Sequence, residues 1–299
     1  MITVPAGYGN SVSDRAGAEG SAWIARLPRL VDRLCTRWDL VEDGPPMHGY
    51  HGLVVPVRRG APPHEPLALK VSWVDASVEQ EVRALELWDG RGMVRLLDAA
   101  PGLGALLLER LDLTRPLSDE PIDVLVSTAG DLIRLLSVDA GPAVGLPTIA
   151  DWAADVGRGL HYRWDRAGRP MARRLVDQAS EWAFALSAST DRRLVNWDLH
   201  YENILAGERM PWVAIDPKAM VGPPEFGVAQ LLWRLVDHVD GPAELARWTA
   251  LLVDRAGLEP ETTRRWTLVR AVDYWLWCLD LGYPDYARLC ETLVELAGY

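Results

Sequence analysis

Asn196-Trp-Asp-Leu-His-Tyr-Glu-Asn203, followed by Ala214-Ile-Asp-Pro-Lys218, is the stretch on which the reading of this chain turns. Two short apolar runs, Leu194–Trp197 and Trp212–Ile215, flank a polar loop and read together as a buried hairpin. That loop and the end of the next strand then carry Asp198, Asn203 and Asp216, which all bear hard oxygen donors. Mg²⁺ takes few protein oxygens and leaves the rest of its shell to phosphate and water, which suits Asn203 and Asp216. Asp198 can face a hydroxyl and accept its proton. Asp and Asn also cap turns, so the same three residues could serve only the loop. A second set upstream tips the balance toward phosphoryl transfer.

That set begins with Lys70, at the end of the β-type run Leu67-Ala-Leu-Lys70. Nucleotide phosphates need a cation held in place, and a carboxylate on a packed helix is the usual means. The following helix, Ala76–Asp89, has an apolar stripe at Val78, Val82, Leu85 and Trp88, with Gly90 as its stop. Glu81 lies beside that stripe and can point inward, and Glu79 competes with it. Of the 31 basic residues only Lys70 and Lys218 are lysines, so each stands where an arginine would not serve equally well. In the loop Met47–Gly52, Gly49 and Gly52 would let backbone N–H groups approach phosphates. The run Gly104–Leu111 offers extended backbone to an adenine edge.

Outward from these segments, the chain divides. A helix is predicted over Ala22–Trp38 behind an unpatterned arm, Met1–Val12. Short strands with turns fill Leu40–Trp73, and further strands are predicted at Met93–Asp98 and Ala105–Leu111. After Pro121 the pattern is mostly helical. The expected architecture is α+β and two-lobed: residues 1–111 form a small nucleotide-binding lobe of one helix plus an antiparallel sheet, and residues 112–299 a larger, mainly helical lobe holding the hairpin and the acceptor site.

Composition narrows the class of function. With 299 residues, 49% hydrophobic and 24% charged, the chain can bury a large core. A net charge of −11 argues against nucleic acid or an anionic membrane as the main partner. No apolar run approaches membrane-spanning length and no secretory leader is apparent, so a cytoplasmic location is expected. Cys35, Cys278 and Cys290, an odd number without metal spacing, read as buried, reduced thiols. The sequence leaves the oligomeric state open.

The ordered segments Ala-Leu-Lys70, Glu81 with Ala84-Leu-Glu-Leu-Trp88-Asp-Gly90, Met93–Leu97, Leu106–Arg110, Trp197–Asn203 and Trp212–Lys218 resemble the aminoglycoside phosphotransferases, in the branch of streptomycin 6-kinase and the hydroxyurea phosphotransferases. The resemblance implies a protein-kinase-like fold and transfer of phosphate from Mg-ATP to a small-molecule hydroxyl. It implies Lys70 on the α/β-phosphates with Glu81 as its partner, Gly49 and Gly52 over the phosphates, and adenine contacts from the backbone after Glu109, reaching Leu111. Asp198 would be the base, with Asn203 and Asp216 holding Mg²⁺. The acceptor is expected to be cationic, and Glu202, Asp237, Asp240, Asp273, Asp280 and Asp285 are candidates to line its site. Other acceptors, such as a nucleoside antibiotic, a sugar or hydroxyurea, form the alternative within the class, and a nucleotide-binding protein without catalysis forms the alternative outside it. Two departures stand out. Asn196-Trp197 replaces the His-Gly before the catalytic Asp, and Phe226-Gly227 replaces an aromatic-Asp pair, which leaves Glu225 as a substitute brace for the loop.

Overall fold

The computed structural model describes residues 2–49, 52–62, 64–141 and 145–299. It separates into two compact units, one made of the chain up to Gly90 with Val94–Leu111, the other of Arg91–Met93 with Asp112–Tyr299.

In the first unit, α1 (Ala6–Arg37), broken at Gly17 where φ is +56°, packs on a sheet. The sheet contains β1 (Leu40–Glu42), β2 (Met47–His48), β3 (Gly52–Arg59) and β4 (Pro66–Ser72). After α2 (Ala76–Trp88), β5 (Leu96–Ala100) and β6 (Ala105–Glu109) complete it in the order β1-β3-β4-β6-β5, with β2 on β3 and every pairing antiparallel. Helix α1 begins well before Ala22, within the segment expected to be an arm. Tyr8 and Val12, one helical turn apart, bury in the same core as Trp23, Leu27, Val31 and Leu34, and two apolar residues among glycines are too sparse a pattern to betray a helix. Leu53, Val55 and Val57 of β3 and Leu67, Leu69 and Val71 of β4 join that core. Lys70, falling between Leu69 and Val71, therefore projects from the opposite face of the pleated strand.

Helix α2 starts on Asp75, whose carboxylate accepts from the Ser77 N–H at 2.8 Å, and buries Val78, Val82, Leu85 and Trp88. It ends on Asp89 in the left-handed region, with Gly90 following at positive φ. The strand expected at Met93–Asp98 begins only at Leu96. Met93 instead makes a parallel bridge to Ala214, and the Gly92 carbonyl accepts from the Ala214 N–H at 2.9 Å, which draws Arg91–Met93 into the second unit.

The second unit runs through β7 (Asp112–Pro116), α3 (Ile122–Leu136), α4 (Ile149–Arg166) and α5 (Arg173–Leu186). Four three-residue strands follow: β8 (Leu194–Asn196), β9 (Ile204–Ala206), β10 (Trp212–Ala214) and β11 (Ala219–Val221). The chain closes with α6 (Val228–Leu235), α7 (Pro242–Ala256), α8 (Pro260–Leu281) and α9 (Pro284–Leu296). Helix α8 packs against α5, α6 and α9, and α3 against α7. The single hairpin expected from Leu194–Trp197 and Trp212–Ile215 is replaced by two pairings: β8 with β11, and β10 with β9, which also carries β7. Strands this short give no alternation from which to read a partner.

Among the described residues no helix is long and apolar enough to cross a membrane. Cys278 and Cys290 are buried free thiols, and Cys35 is half-buried.

Candidate active site

In the first unit the pleat aims Lys70 away from the α1 core, and α2 brings Glu81 to it. Lys70 Nζ lies 2.6 Å from Glu81 Oε1, with both side chains about nine-tenths buried at 9% and 11% exposure. Glu79 is exposed. A buried pair of this kind adds little net stability but strongly resists loss of one member, so its value is a cation in a fixed place.

Gly52 lies opposite Ser72 on β4, and Val54 opposite Lys70. A Cβ at Gly52 would sit 2.7 Å from Ser72 Oγ and 3.4 Å from Lys70 Cε, so glycine lets the backbone pass close to the lysine stem. The Gly49 N–H donates to the Gly52 carbonyl at 3.0 Å. The tip between them, Tyr50 and His51, lies outside the described residues. At the far end of β6, Glu109 Oε1 accepts from the Arg95 N–H at 3.1 Å. Arg110 reaches Asp43 at 2.6 Å and the Leu67 carbonyl at 3.1 Å, which anchors the strand just before Leu111.

In the second unit, segments 196–203 and 214–218 are laced together. The Lys218 N–H donates to Asn196 Oδ1 (3.1 Å), Trp197 N–H to the Lys218 carbonyl (3.0 Å), and Ile215 N–H to the Asn203 carbonyl (2.8 Å). Asn196 Oδ1 also accepts from the Asp198 N–H at 3.3 Å. Asp198 is held at both oxygens: Oδ1 accepts from Gln230 Nε2 at 3.1 Å, and Oδ2 lies 3.1 Å from Lys218 Nζ. Asp216 follows β10 with φ +49°, an uncommon conformation for a residue other than glycine.

Gln230 and Arg270 escaped the sequence reading, and Lys218 was singled out only by its rarity. Gln230 is a buried amide on the apolar helix α6, and Arg270 a buried guanidinium in the apolar stretch Trp266–Val272 of α8. Polar side chains buried in apolar helices were the available signal. Arg270 donates to the carbonyls of Trp197 (3.4 Å) and Phe226 (3.3 Å) and lies 4.4 Å from the Phe226 ring centroid. Burial pulls its guanidinium down to about 10.

Arg270, rather than Glu225, contacts the loop 196–203. Glu225 Oε1 instead accepts from the Glu259 N–H at 3.3 Å, and its Oε2 has no partner among the described residues. Beside Gly227 a void of about 10 Å³ is lined by Asn196, Leu199 and Pro224. Asn196 Nδ2 is buried there without a partner among the described residues.

The donor set fits a shared magnesium ion. Asn203 and Asp216 offer two hard oxygens on segments tied by the Ile215–Asn203 bond. Among the described residues no group of three or more His, Cys, Asp or Glu side chains could hold a metal by itself. An ion here would draw further oxygens from phosphates and water, the habit of Mg²⁺.

The acidic candidates for the acceptor separate. Glu202 and Asp237 share a cavity of about 190 Å³ with Ser118, Leu125, Tyr201 and Arg234. Glu202 is drawn down to about 2 by its hydrogen bond with His200 (2.7 Å), helped by Arg234 at 3.2 Å. Asp237 is lowered by Arg288 at 3.0 Å. Asp273 instead is buried against Arg163, with burial pushing its carboxyl up, and Asp280 lies 3.8 Å from Arg166. Asp240 and Asp285 do not line that cavity.

The family described as aminoglycoside/hydroxyurea antibiotic resistance kinase matches residues 37–282. The chain belongs to that family. The chain is 38% identical to a streptomycin 6-kinase of Streptomyces griseus, over 98% of each chain. It is equally 38% identical to a hydroxyurea phosphotransferase of Kitasatospora aureofaciens, over 100% of this chain and 88% of that one. Among solved structures, the aminoglycoside phosphotransferase APH(4)-Ia superposes with a TM-score of 0.59 at 18% identity, over 91% of this chain and 100% of that one. The fold of the kinase is protein-kinase-like, and the enzyme is an ATP-dependent phosphotransferase.

Proposed function

We propose that this kinase transfers the γ-phosphoryl group of ATP to a hydroxyl of an aminoglycoside-type antibiotic of the streptomycin kind, with Asp198 as general base. The observation that carries the reading is the attitude of Asp198. Its carboxylate is fixed through both oxygens by Gln230 and Lys218, while 20% of the side chain stays exposed to receive a hydroxyl.

Lys70, held by Glu81, binds the nucleotide phosphates, with Gly49 and Gly52 letting backbone N–H groups approach them. The backbone from Glu109 to Leu111 serves the adenine edge. Asn203 and Asp216 hold Mg²⁺, which when bound neutralises charge on the β- and γ-phosphate oxygens. Asp198 orients the acceptor hydroxyl. As that oxygen bonds to the γ-phosphorus its proton passes to Asp198, and the β–γ bridging bond breaks with its electron pair leaving on ADP. Within the cavity of Glu202 and Asp237, a cationic acceptor group takes the carboxylates from Arg234 and Arg288. The departures at Asn196 and Gly227 do not argue for lost catalysis, because Asn196 still hydrogen-bonds the loop and Arg270 contacts it from α8.

The test is acceptor-dependent ADP release from Mg-ATP with streptomycin, other aminoglycosides, nucleoside antibiotics and hydroxyurea. Release with streptomycin supports the reading. Release with hydroxyurea alone transfers the assignment to the other named relative, and ATP binding with no release across the panel contradicts it.

A further inference from the structure

We propose that Lys218 is a positioning residue for phosphoryl transfer, its ammonium fixing the plane of the Asp198 carboxylate that receives the acceptor hydroxyl. The inference rests on Asp198 being the base.

Three observations converge on it. First, the chain writes its cations as arginine except at Lys70 and Lys218, and each lysine meets a carboxylate of the candidate site, at 2.6 Å from Glu81 and 3.1 Å from Asp198. Second, Lys218 is tied to the loop at three levels. Its N–H donates to Asn196 Oδ1, its carbonyl accepts from the Trp197 N–H, and its Nζ stands 5.7 Å from the Trp197 ring centroid. The ammonium is thus held over an aromatic face that favours a cation there. Third, the pair is partly open, with 38% of the Lys218 side chain and 20% of the Asp198 side chain exposed. Ion pairs in such settings add little to stability, so folding alone gives no reason to keep it.

The choice of lysine follows from the second partner of Asp198. Gln230 occupies Oδ1. A compact ammonium can donate to Oδ2 alone and direct its remaining N–H groups elsewhere, whereas a planar guanidinium favours both carboxylate oxygens at once and would compete with Gln230. With one donor on each oxygen the carboxylate cannot rotate, and each oxygen keeps a lone pair for the incoming proton. In the transfer step Lys218 keeps its own proton, the hydroxyl proton goes to Asp198, and the bridging electron pair leaves with ADP.

The experiment uses the full chain with Mg-ATP and streptomycin, or hydroxyurea if streptomycin is not turned over. Lys218→Met should lower kcat by about 10²-fold, the scale of a small misplacement of a reacting group, with KM for ATP changed by less than about threefold. Lys218→Arg should not recover the loss. Lys218→Cys should be equally slow, and alkylation with 2-bromoethylamine, which rebuilds an ammonium at that position, should restore kcat by about tenfold or more. The chain's own thiols leave this reaction selective. Burial pushes Cys35 and Cys278 up to about 11 and Cys290 well above its ordinary value, so near pH ~8 they carry little thiolate.

Rescue on the same folded preparation separates positioning from a folding defect. The inference is overturned if Lys218→Met keeps at least about half of kcat while Asp198→Asn is inactive. It is also overturned if the aminoethylated protein, with modification verified by mass, stays at the level of Lys218→Cys. An Asp198→Asn variant as fast as the parent would instead overturn the assignment of the base, a separate result.

Discussion

Arg270 of α8 donates to the carbonyl oxygen of Trp197 at 3.4 Å, and Trp197 immediately precedes Asp198. A cation from a helix far along the chain thereby contacts the turn that carries Asp198. The same guanidinium reaches the Phe226 carbonyl, so it joins the start of α6 to the loop.

Arg270→Met keeps the length of the side chain but removes its donors to both carbonyls. Loss of buried hydrogen bonds should destabilise the protein by about 1–3 kcal/mol, seen as a lower urea midpoint. Arg270→Lys should not restore it, because one ammonium cannot reproduce the fork. An unchanged midpoint and kcat for Arg270→Met would remove this brace from the account.

Much of the candidate site is legible in sequence because its residues are local. Asp198 and Asn203 share one loop, and Lys70 and Glu81 occupy a strand and the next helix. The residues that hold Asp198 in place arrive from a distance. Gln230 and Arg270 are 32 and 72 positions further along, and only packing of α6 and α8 reveals them. Glu225 was the natural guess for a brace by proximity to Gly227, yet its carboxylate turns to the start of α8. The pairing of β8 with β11 was illegible for a different reason. Asn196 and Ala219 are partners, but strands of three residues give no register.

Lys70→Met should abolish productive ATP binding and, by removing the cation beside the buried Glu81 carboxylate, destabilise the first unit by about 3–5 kcal/mol. Adding Glu81→Leu should recover most of that stability while activity stays absent. A thermal scan and an ATP titration on the single and double variants check both halves. If the double variant is as unstable as Lys70→Met, loss of the cation beside that carboxylate is not the cause.

Gly52→Ala should raise KM for ATP severalfold and cost about 1–3 kcal/mol by overpacking, since its Cβ meets Ser72 Oγ at 2.7 Å. Ser72→Ala removes the obstructing oxygen. The double variant Gly52→Ala/Ser72→Ala should therefore recover the stability, and failure to do so would place the strain elsewhere.

Glu202 carries a pH signature. Its carboxyl is held at about 2, below its ordinary 4.5, chiefly by the His200 hydrogen bond. Between these values the unfolded chain binds the extra proton, so stability rises with pH across that window. The contribution is present above about 4.5 and lost as pH falls toward 2. It is small, because half of the side chain is exposed and solvent screens it. Glu202→Gln should flatten the urea midpoint against pH in this range and lower it slightly near neutrality, where the contribution is fully present. Parallel curves for parent and variant would contradict the assignment.

The most direct test of the central claim is the turnover of Asp198→Asn, measured as acceptor-dependent ADP release beside the parent. The substitution keeps the size and the Gln230 and Lys218 neighbours of Asp198 but removes the proton acceptor. The account predicts kcat lower by about 10²–10⁴-fold, with ATP affinity nearly unchanged. Turnover equal to that of the parent would contradict it.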